Sequence, residues 1–267
     1  MPPFAAIQTS VEAGVLTITL NRPDVCNAVN EDVCVELGTA LRMAQREDAI
    51  RCIVLTGAGR AFCTGQDLKE LARLQREPAA GTFDFAALLR QRYNPLIVRL
   101  RTMEKPVVAA LNGVAAGSGV SLALAADLRI AVRSATLLMA FGQLGLVPDC
   151  AATLTLIEQL GYARAAELCF LGEPLTAEQA LQWGLVNRVV DDGDLPRATQ
   201  ELAGRLAALP TRALGLTKRA FNHAQNATLD EQMEYEALLQ ATAGRTADHR
   251  EGLEAFLAKR PPRFTGS

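Results

Sequence analysis

The segment K-P-V-V-A-A-L-N-G-V-A-A-G-S-G-V-S-L-A-L-A-A-D, Lys105 to Asp127, and the F-G-Q-L-G-L-V-P-D at 141–149 decide how this chain is read. Val107 to Leu111 is a short apolar run bounded by turn residues, the pattern of a buried strand. Asn112-Gly113 breaks it. The small residues Ala115-Ala116-Gly117-Ser118-Gly119 then lead into an apolar helix expected over Val120 to Ala126. A glycine-rich turn feeding a helix start aims unpaired backbone N–H groups and the positive end of the helix dipole at one point. Such a point suits an anion, or an oxygen that becomes anionic during a reaction. Small residues around Ser118 let a ligand approach the main chain, but they serve close helix–sheet packing equally well. Asp149, after Pro148 and ahead of a helical stretch, reads either as a helix N-cap or as a lone catalytic carboxylate. Residue chemistry leaves both alternatives open.

On the N-terminal side, Val15 to Leu20 alternates apolar residues with threonine and reads as a half-buried strand. Glu31 to Arg46 has apolar residues at mostly helical spacing, acids early and arginines late, as the helix dipole favours. Cys52 to Thr56 is a continuous apolar strand stopped by Gly57-Ala58-Gly59. In the loop Ala61 to Leu68, Asp67 is placed to cap a helix starting at Leu68. The breaker-rich run 77–82 is expected to be a mobile loop. A helical pattern follows over Phe83 to Met103, with Pro95 expected to kink or divide it.

On the C-terminal side, Leu128 to Val132 reads as a strand and Leu137 to Phe141 as buried. Helices are expected over Ala151 to Leu160, Ala163 to Phe170 and Thr176 to Trp183, the last with a capped start. Leu185 to Val190 reads as a final strand. Helices near 195–208, 211–226, 229–243 and 246–258 complete the chain. The fold class is α/β, with a core expected over 1–195 and a helical C-terminal region over 196–267.

The 267 residues are enough to bury a large core. No apolar run reaches the roughly 18 residues that a membrane span needs, and no basic-then-apolar leader opens the chain. With 27 basic and 29 acidic residues, net charge −2, a general nucleic-acid surface is not expected. The six cysteines form no C-x-x-C pair and the two histidines, His223 and His249, lie far along the chain. A metal site is therefore not expected, and scattered thiols fit a reducing cytoplasm. G-x-S-x-G is absent and no histidine lies in the α/β core, which argues against a Ser–His hydrolase. Gly57-Ala58-Gly59 lacks the third glycine of a dinucleotide fingerprint. Cys150 has no histidine to activate it.

Four motifs in order carry a resemblance: N-R-P at 21–23, A-F-x-x-G-x-D-L at 61–68, K-P-V-x-A-x-x-N-G at 105–113 and W-G-L-V at 183–186. Together they resemble the enoyl-CoA hydratase/isomerase (crotonase) superfamily, from near residue 12 to F-L-A-K-R-P-P-R-F at 256–264. The resemblance implies a crotonase-like spiral of strand–strand–helix turns, a helical trimerisation region, and a homotrimer or dimer of trimers. It also implies acyl-CoA thioesters as substrates, with coenzyme A entering as part of the substrate and no separate cofactor. Carried over residue by residue, the backbone N–H groups of Gln66 and Ser118 form an oxyanion hole. Thr64, Gly65, Asp67, Leu68, Gly117 and Gly119 surround it, and Lys218 and Lys259 are candidate phosphate partners.

Hydratases of the family use two glutamates, and those positions align here with Ser121 and Phe141. Losing both argues against ordinary hydration. Asp149 matches the acid/base of isomerase members, and one carboxylate is sufficient to take a proton from one carbon and return it to another. Segments 92–96, 112–119 and 139–150 most resemble members that convert ring 1,2-epoxyphenylacetyl-CoA to oxepin-CoA in aerobic phenylacetate breakdown. Similar members shift double bonds in enoyl-CoAs. Ala151-Ala152 stands where glycines are common, and the two methyl groups are expected to narrow the acyl pocket. The alternatives are a hydratase in which Ser121 and Asp149 position water, and a non-catalytic acyl-CoA-binding subunit.

Overall fold

The computed structural model describes residues 4–76 and 83–267; the loop expected at 77–82 lies outside the described residues. Among them, ten strands form two sheets. β1 (Ile7–Glu12), β2 (Val15–Leu20), β3 (Cys52–Gly57), β5 (Val107–Leu111), β7 (Leu128–Val132) and β10 (Arg188–Val190) make one, in that spatial order. β4 (Ala61–Cys63), β6 (Val114–Ala116), β8 (Thr136–Leu138) and β9 (Leu175–Thr176) make the other. From β3 to β8 consecutive strands alternate between the sheets: β3, β5 and β7 run parallel in the large sheet, and β4, β6 and β8 in the small one. Each pair is one turn of the expected spiral.

The helices are α1 (Glu31–Arg46), α2 (Leu68–Arg76), α3 (Phe85–Leu88), α4 (Asn94–Thr102), α5 (Ser118–Leu124), α6 (Ala152–Leu171), α7 (Ala177–Gln182), α8 (Leu195–Ala207), α9 (Thr211–Ala224), α10 (Leu229–Ala243) and α11 (Ala247–Leu257). α1 starts where the Asn30 side chain accepts from Val33 N–H at 3.1 Å. α7 starts with a full capping box between Thr176 and Gln179, the start expected from sequence. Every residue of β5 is buried, because neighbours flank it on both sides and helices cover the sheet. Burial of a Val or Leu side chain contributes about 1.5–3 kcal/mol, so this central strand is a firm base for the turn at its C-terminal end. α8 belongs to the same core: Leu195, Ala198, Leu202 and Ala203 pack into the cluster that holds β3 and β5.

Several expectations are refined. Helix is confined to 85–102 within the 83–103 pattern, and a π-helical turn at Leu89–Tyr93 separates α3 from α4 just before Pro95. Proline has no N–H and its ring crowds the preceding turn, so the ladder widens rather than continuing. Gly161, at φ 72 and ψ 166, breaks α6 where two helices were expected. The final strand is only Arg188–Val190; Leu185 and Val186 instead turn back, both N–H groups donating to Ala180 O. No helix among the described residues is long and apolar enough to cross a membrane.

Candidate active site

The site begins at the end of β5. Asn112 accepts from Gly57 N–H at 3.1 Å and donates to the carbonyls of Gly59 and Ala61 at 2.9 and 3.1 Å. Gly113 comes next, so close to the Arg60 carbonyl that a side chain would collide with it. These contacts lock β6 beside β4. Gly117 then adopts φ 52, ψ −127 and opens α5 at Ser118. α5 lies two residues earlier than the expected Val120–Ala126, and Val114–Ala116, expected to be part of the turn, forms β6.

The loop before α2 supplies the facing wall. Val29 N–H donates to Gly65 O at 2.7 Å and Asp67 N–H donates to Val29 O at 2.9 Å. In a parallel bridge of this kind the intervening N–H, that of Gln66, points to the opposite side. Among the described residues neither the Gln66 nor the Ser118 N–H has an acceptor within the fold. Gly65, at φ 83, brings the two segments together: a methyl group there would sit 2.8 Å from Ala116 O and 3.1 Å from Ser118 N. Two donors therefore flank one point, as an oxyanion site needs.

That point lies on a cavity of about 230 Å³. Its walls are mainly hydrocarbon, from Leu68 and Leu71 of α2, Phe85 and Leu88 of α3, and Phe141 and Val147 of the segment before α6. Among the described lining residues Asp149 is the only titratable one. Its Oδ1 is buried without a hydrogen-bond partner among the described residues. Burial raises the Asp149 carboxyl above the ordinary carboxylate range, against smaller opposing effects of the Cys150 thiol and its own backbone N–H. The Cys150 thiol is itself pushed up, by burial and then by the neighbouring Asp149 charge, so it stays protonated and is no nucleophile.

The N-cap alternative for Asp149 is corrected. Cys150 and Ala151 both take left-handed conformations, at φ 56 and 61. α6 has Ala151 as its cap, without a side-chain bond. The double turn leaves the Asp149 carboxyl on the cavity wall and gives only its carbonyl to the helix, accepting from Ala152 N–H at 3.0 Å. Ala151 and Ala152 do not line the described cavity, so their methyl groups do not narrow it.

Of the other sequence candidates, Thr64, Gln66, Leu68, Gly117, Ser118 and Phe141 meet on the cavity. Asp67 stands behind it. Burial alone would raise its pKa, but the Arg22 guanidinium at 2.9 Å and the N–H groups of Glu70 and Lys69 outweigh that and lower it. Arg22 and Asp67, from two separate motifs, are thus one clamp on the Gln66 loop, and Asp67 caps α2 as expected. Gly119 is a packing glycine against the Cys63 carbonyl. Ser121 is buried one turn behind Ser118. Lys218 is not a phosphate partner: its ammonium is buried and donates to Asp127 Oδ2 at 2.8 Å and Leu100 O at 2.7 Å. Lys259 lies exposed just beyond α11, outside the cavity lining. The residues that sequence reasoning missed include Leu71 of α2 and Phe85 and Leu88 of α3; the i, i+3 spacing of Phe85 and Leu88 was a core pattern and nothing marked it as facing a ligand.

A family model described as enoyl-CoA hydratase/isomerase matches residues 10–267. The chain is 49% identical to the 1,2-epoxyphenylacetyl-CoA isomerase of Escherichia coli (strain K12), over 97% of this chain and 98% of that protein. It is 33% identical to the trans-2-decenoyl-[acyl-carrier-protein] isomerase of Streptococcus mutans serotype c, over 98% and 99% of the two chains. Among solved structures, an enoyl-CoA hydratase from Polaromonas sp. JS666 superposes with a TM-score of 0.89 at 34% identity, covering 97% of this chain and 100% of that one.

Proposed function

The chain belongs to the enoyl-CoA hydratase/isomerase family, and from that premise we propose that it is an acyl-CoA isomerase with Asp149 as its single acid/base. One observation carries the proposal: Asp149 is the sole titratable residue among the described lining of the cavity. Hydration across a double bond calls for a second group to orient water, and the two positions that would hold it are Ser121 and Phe141. In the proposed reaction the thioester oxygen accepts from Gln66 and Ser118 N–H, which stabilises the enolate, typically by a few kcal/mol per donor. Asp149 removes a proton from one carbon of the acyl group and returns it to another. A carboxyl raised by burial is a better proton acceptor than one in water, and its apolar walls keep bulk water from competing.

The acyl group we propose is the ring epoxide of phenylacetyl-CoA, with double-bond shift in short enoyl-CoAs as a related activity. Support comes from the 49% identity to the Escherichia coli isomerase and from the cavity. At about 230 Å³ within the described residues, it is smaller than typical drug-sized pockets of about 300–1,000 Å³ and suits a ring or short chain. Incubation with 1,2-epoxyphenylacetyl-CoA and with simple 3-enoyl-CoAs should give products of unchanged mass and altered ultraviolet spectrum. A product heavier by one water, or loss of conjugated-enoyl absorbance with crotonyl-CoA, would instead establish a hydratase.

Assembly as a homotrimer or dimer of trimers is part of the proposal. Phe221, Leu229, Met233 and Phe256 on α9 to α11 are all more than half exposed in the single chain, and apolar surface of that extent on neighbouring helices favours association. Light scattering should give three or six times the 28.6 kDa chain mass; a monomer at micromolar concentration overturns it.

A further inference from the structure

The segment that closes the acyl cavity also borders a second cleft. Phe85, Leu88 and Leu89 line the acyl cavity. A few residues on, Gln91, Arg92 and Arg99 line a separate cleft of about 320 Å³, whose other wall is α1 from Glu31 to Arg42. The two spaces share no lining residue among those described. Arg42, Arg92 and Arg99 bring three guanidiniums to this cleft, and Glu31 is the one carboxylate among its described lining residues.

Arg92 is paired: it donates to Glu31 Oε2 at 2.8 Å and to Glu70 Oε1 at 3.3 Å. Arg42 and Arg99 have no carboxylate partner among the described residues. Arg42 Nη2 donates to Thr39 Oγ1 at 2.8 Å, and Arg99 Nη1 donates to Gln45 Oε1 at 2.7 Å, both uncharged acceptors. Thr39 is itself fixed, donating to Val35 O at 2.8 Å. Each guanidinium is thus oriented through one N–H, with most of its five donors left over. Like charges gathered at one cleft repel, a cost that a bound anion would remove. Guanidinium forks match the oxygens of a phosphate group in charge and in geometry. Gly38, a poor helix former inside α1, keeps the floor of the cleft open. A methyl group there would sit 3.3 Å from Leu96 Cδ2 and 3.5 Å from Arg42 Nη1.

We propose that the cleft between α1 and α4 binds a phosphate group, free or carried on a small organic molecule, through Arg42 and Arg99. The site is distinct from the acyl cavity and does not depend on the reaction proposed there.

Titration calorimetry with inorganic phosphate at low ionic strength tests it. The unmutated protein should show saturable binding that weakens as sodium chloride is added, because salt screens exposed charge. Arg42→Gln and Arg99→Gln should each weaken binding about tenfold, the lower range for a hydrogen bond to a charged group. The double variant should abolish it. Glu31→Gln should act in the opposite direction: it removes the carboxylate of the cleft and releases Arg92 Nη2, so phosphate should bind more tightly. Loss of folded protein cannot mimic that gain. Adenosine monophosphate, titrated in parallel, separates the sources. Equal or weaker affinity assigns free phosphate, and tighter binding assigns an organic phosphate. Absence of saturable binding overturns the proposal, as does binding that the double substitution leaves unchanged. A double variant that changes the oligomer mass, in a protein that binds no phosphate, also overturns it, since the arginines would then meet an acidic face of another copy.

Discussion

Asp149→Asn should lower isomerase turnover about 10³-fold, within the 10²–10⁴ range of a positioned acid/base, with acyl-CoA binding retained. Asparagine preserves shape and cannot carry the proton, so the loss should fall on kcat. Retained turnover would sink the assignment. The same substitution should not destabilise the protein. Burial raises the folded carboxyl above its ordinary value, so the native state holds its proton more tightly than the unfolded chain does. Below the ordinary carboxylate range both states are protonated, and the group contributes no pH dependence. As pH rises from that range through the raised folded value, the unfolded chain ionises first and stability is lost. Asp149→Asn removes that loss, so its melting temperature should match the unmutated protein in acid and equal or exceed it at neutral pH. A lower melting temperature at neutral pH would mean that the carboxylate is stabilised by a partner. Catalytic groups held at such a cost are a common source of trade-off between stability and activity.

The second large effect is expected at Gly65. An alanine there must hold φ 83 and place its methyl group 2.8 Å from the Ala116 carbonyl and 3.1 Å from Ser118 N. The left-handed conformation costs about 1–2 kcal/mol, and overpacking against backbone about 1–3 kcal/mol more. Catalysis should suffer further, because the methyl group pushes apart the two segments that supply the oxyanion donors. Loss of one such donor costs about 10²–10³ in kcat, so Gly65→Ala should lose at least a hundredfold. Gly161→Ala is the control. Its φ of 72 is similar but nothing lies within 4 Å of a built side chain, so it should cost only the backbone strain and leave kcat unchanged. Equal kinetic damage from both would show that strain alone, not the Ser118 approach, controls activity.

Much of the fold was legible in the chain itself. The buried strand Val107–Leu111, the amphipathic helix Glu31–Arg46 and the C-terminal helices arise from local periodicity and capping, which act over a few residues. The small sheet was not legible. Its strands are two or three residues long, too short for alternation to register, and they exist because the large sheet brings Ala61, Val114 and Thr136 together. Lys218 shows the same limit from the side of charge. On a helix it looks solvent-facing, yet α9 packs it onto Asp127 and the Leu100 carbonyl, a partnership between distant parts of the chain that no local pattern announces.

The stretch from Lys105 to Asp149 divides in the same way. Its sequence determined a strand, a glycine turn and a helix start with free N–H groups, because glycine conformation and hydrogen-bond supply are local properties. It also determined which carboxylate was present and which were missing. Tertiary structure decided that Gln66 lines the same cavity as Ser118, held across the gap by Val29 and the Arg22–Asp67 pair. It also decided that Asp149 faces the cavity and does not cap α6, since that depends on two successive left-handed residues, Cys150 and Ala151, whose types do not favour the conformation. Only surrounding packing can hold them there.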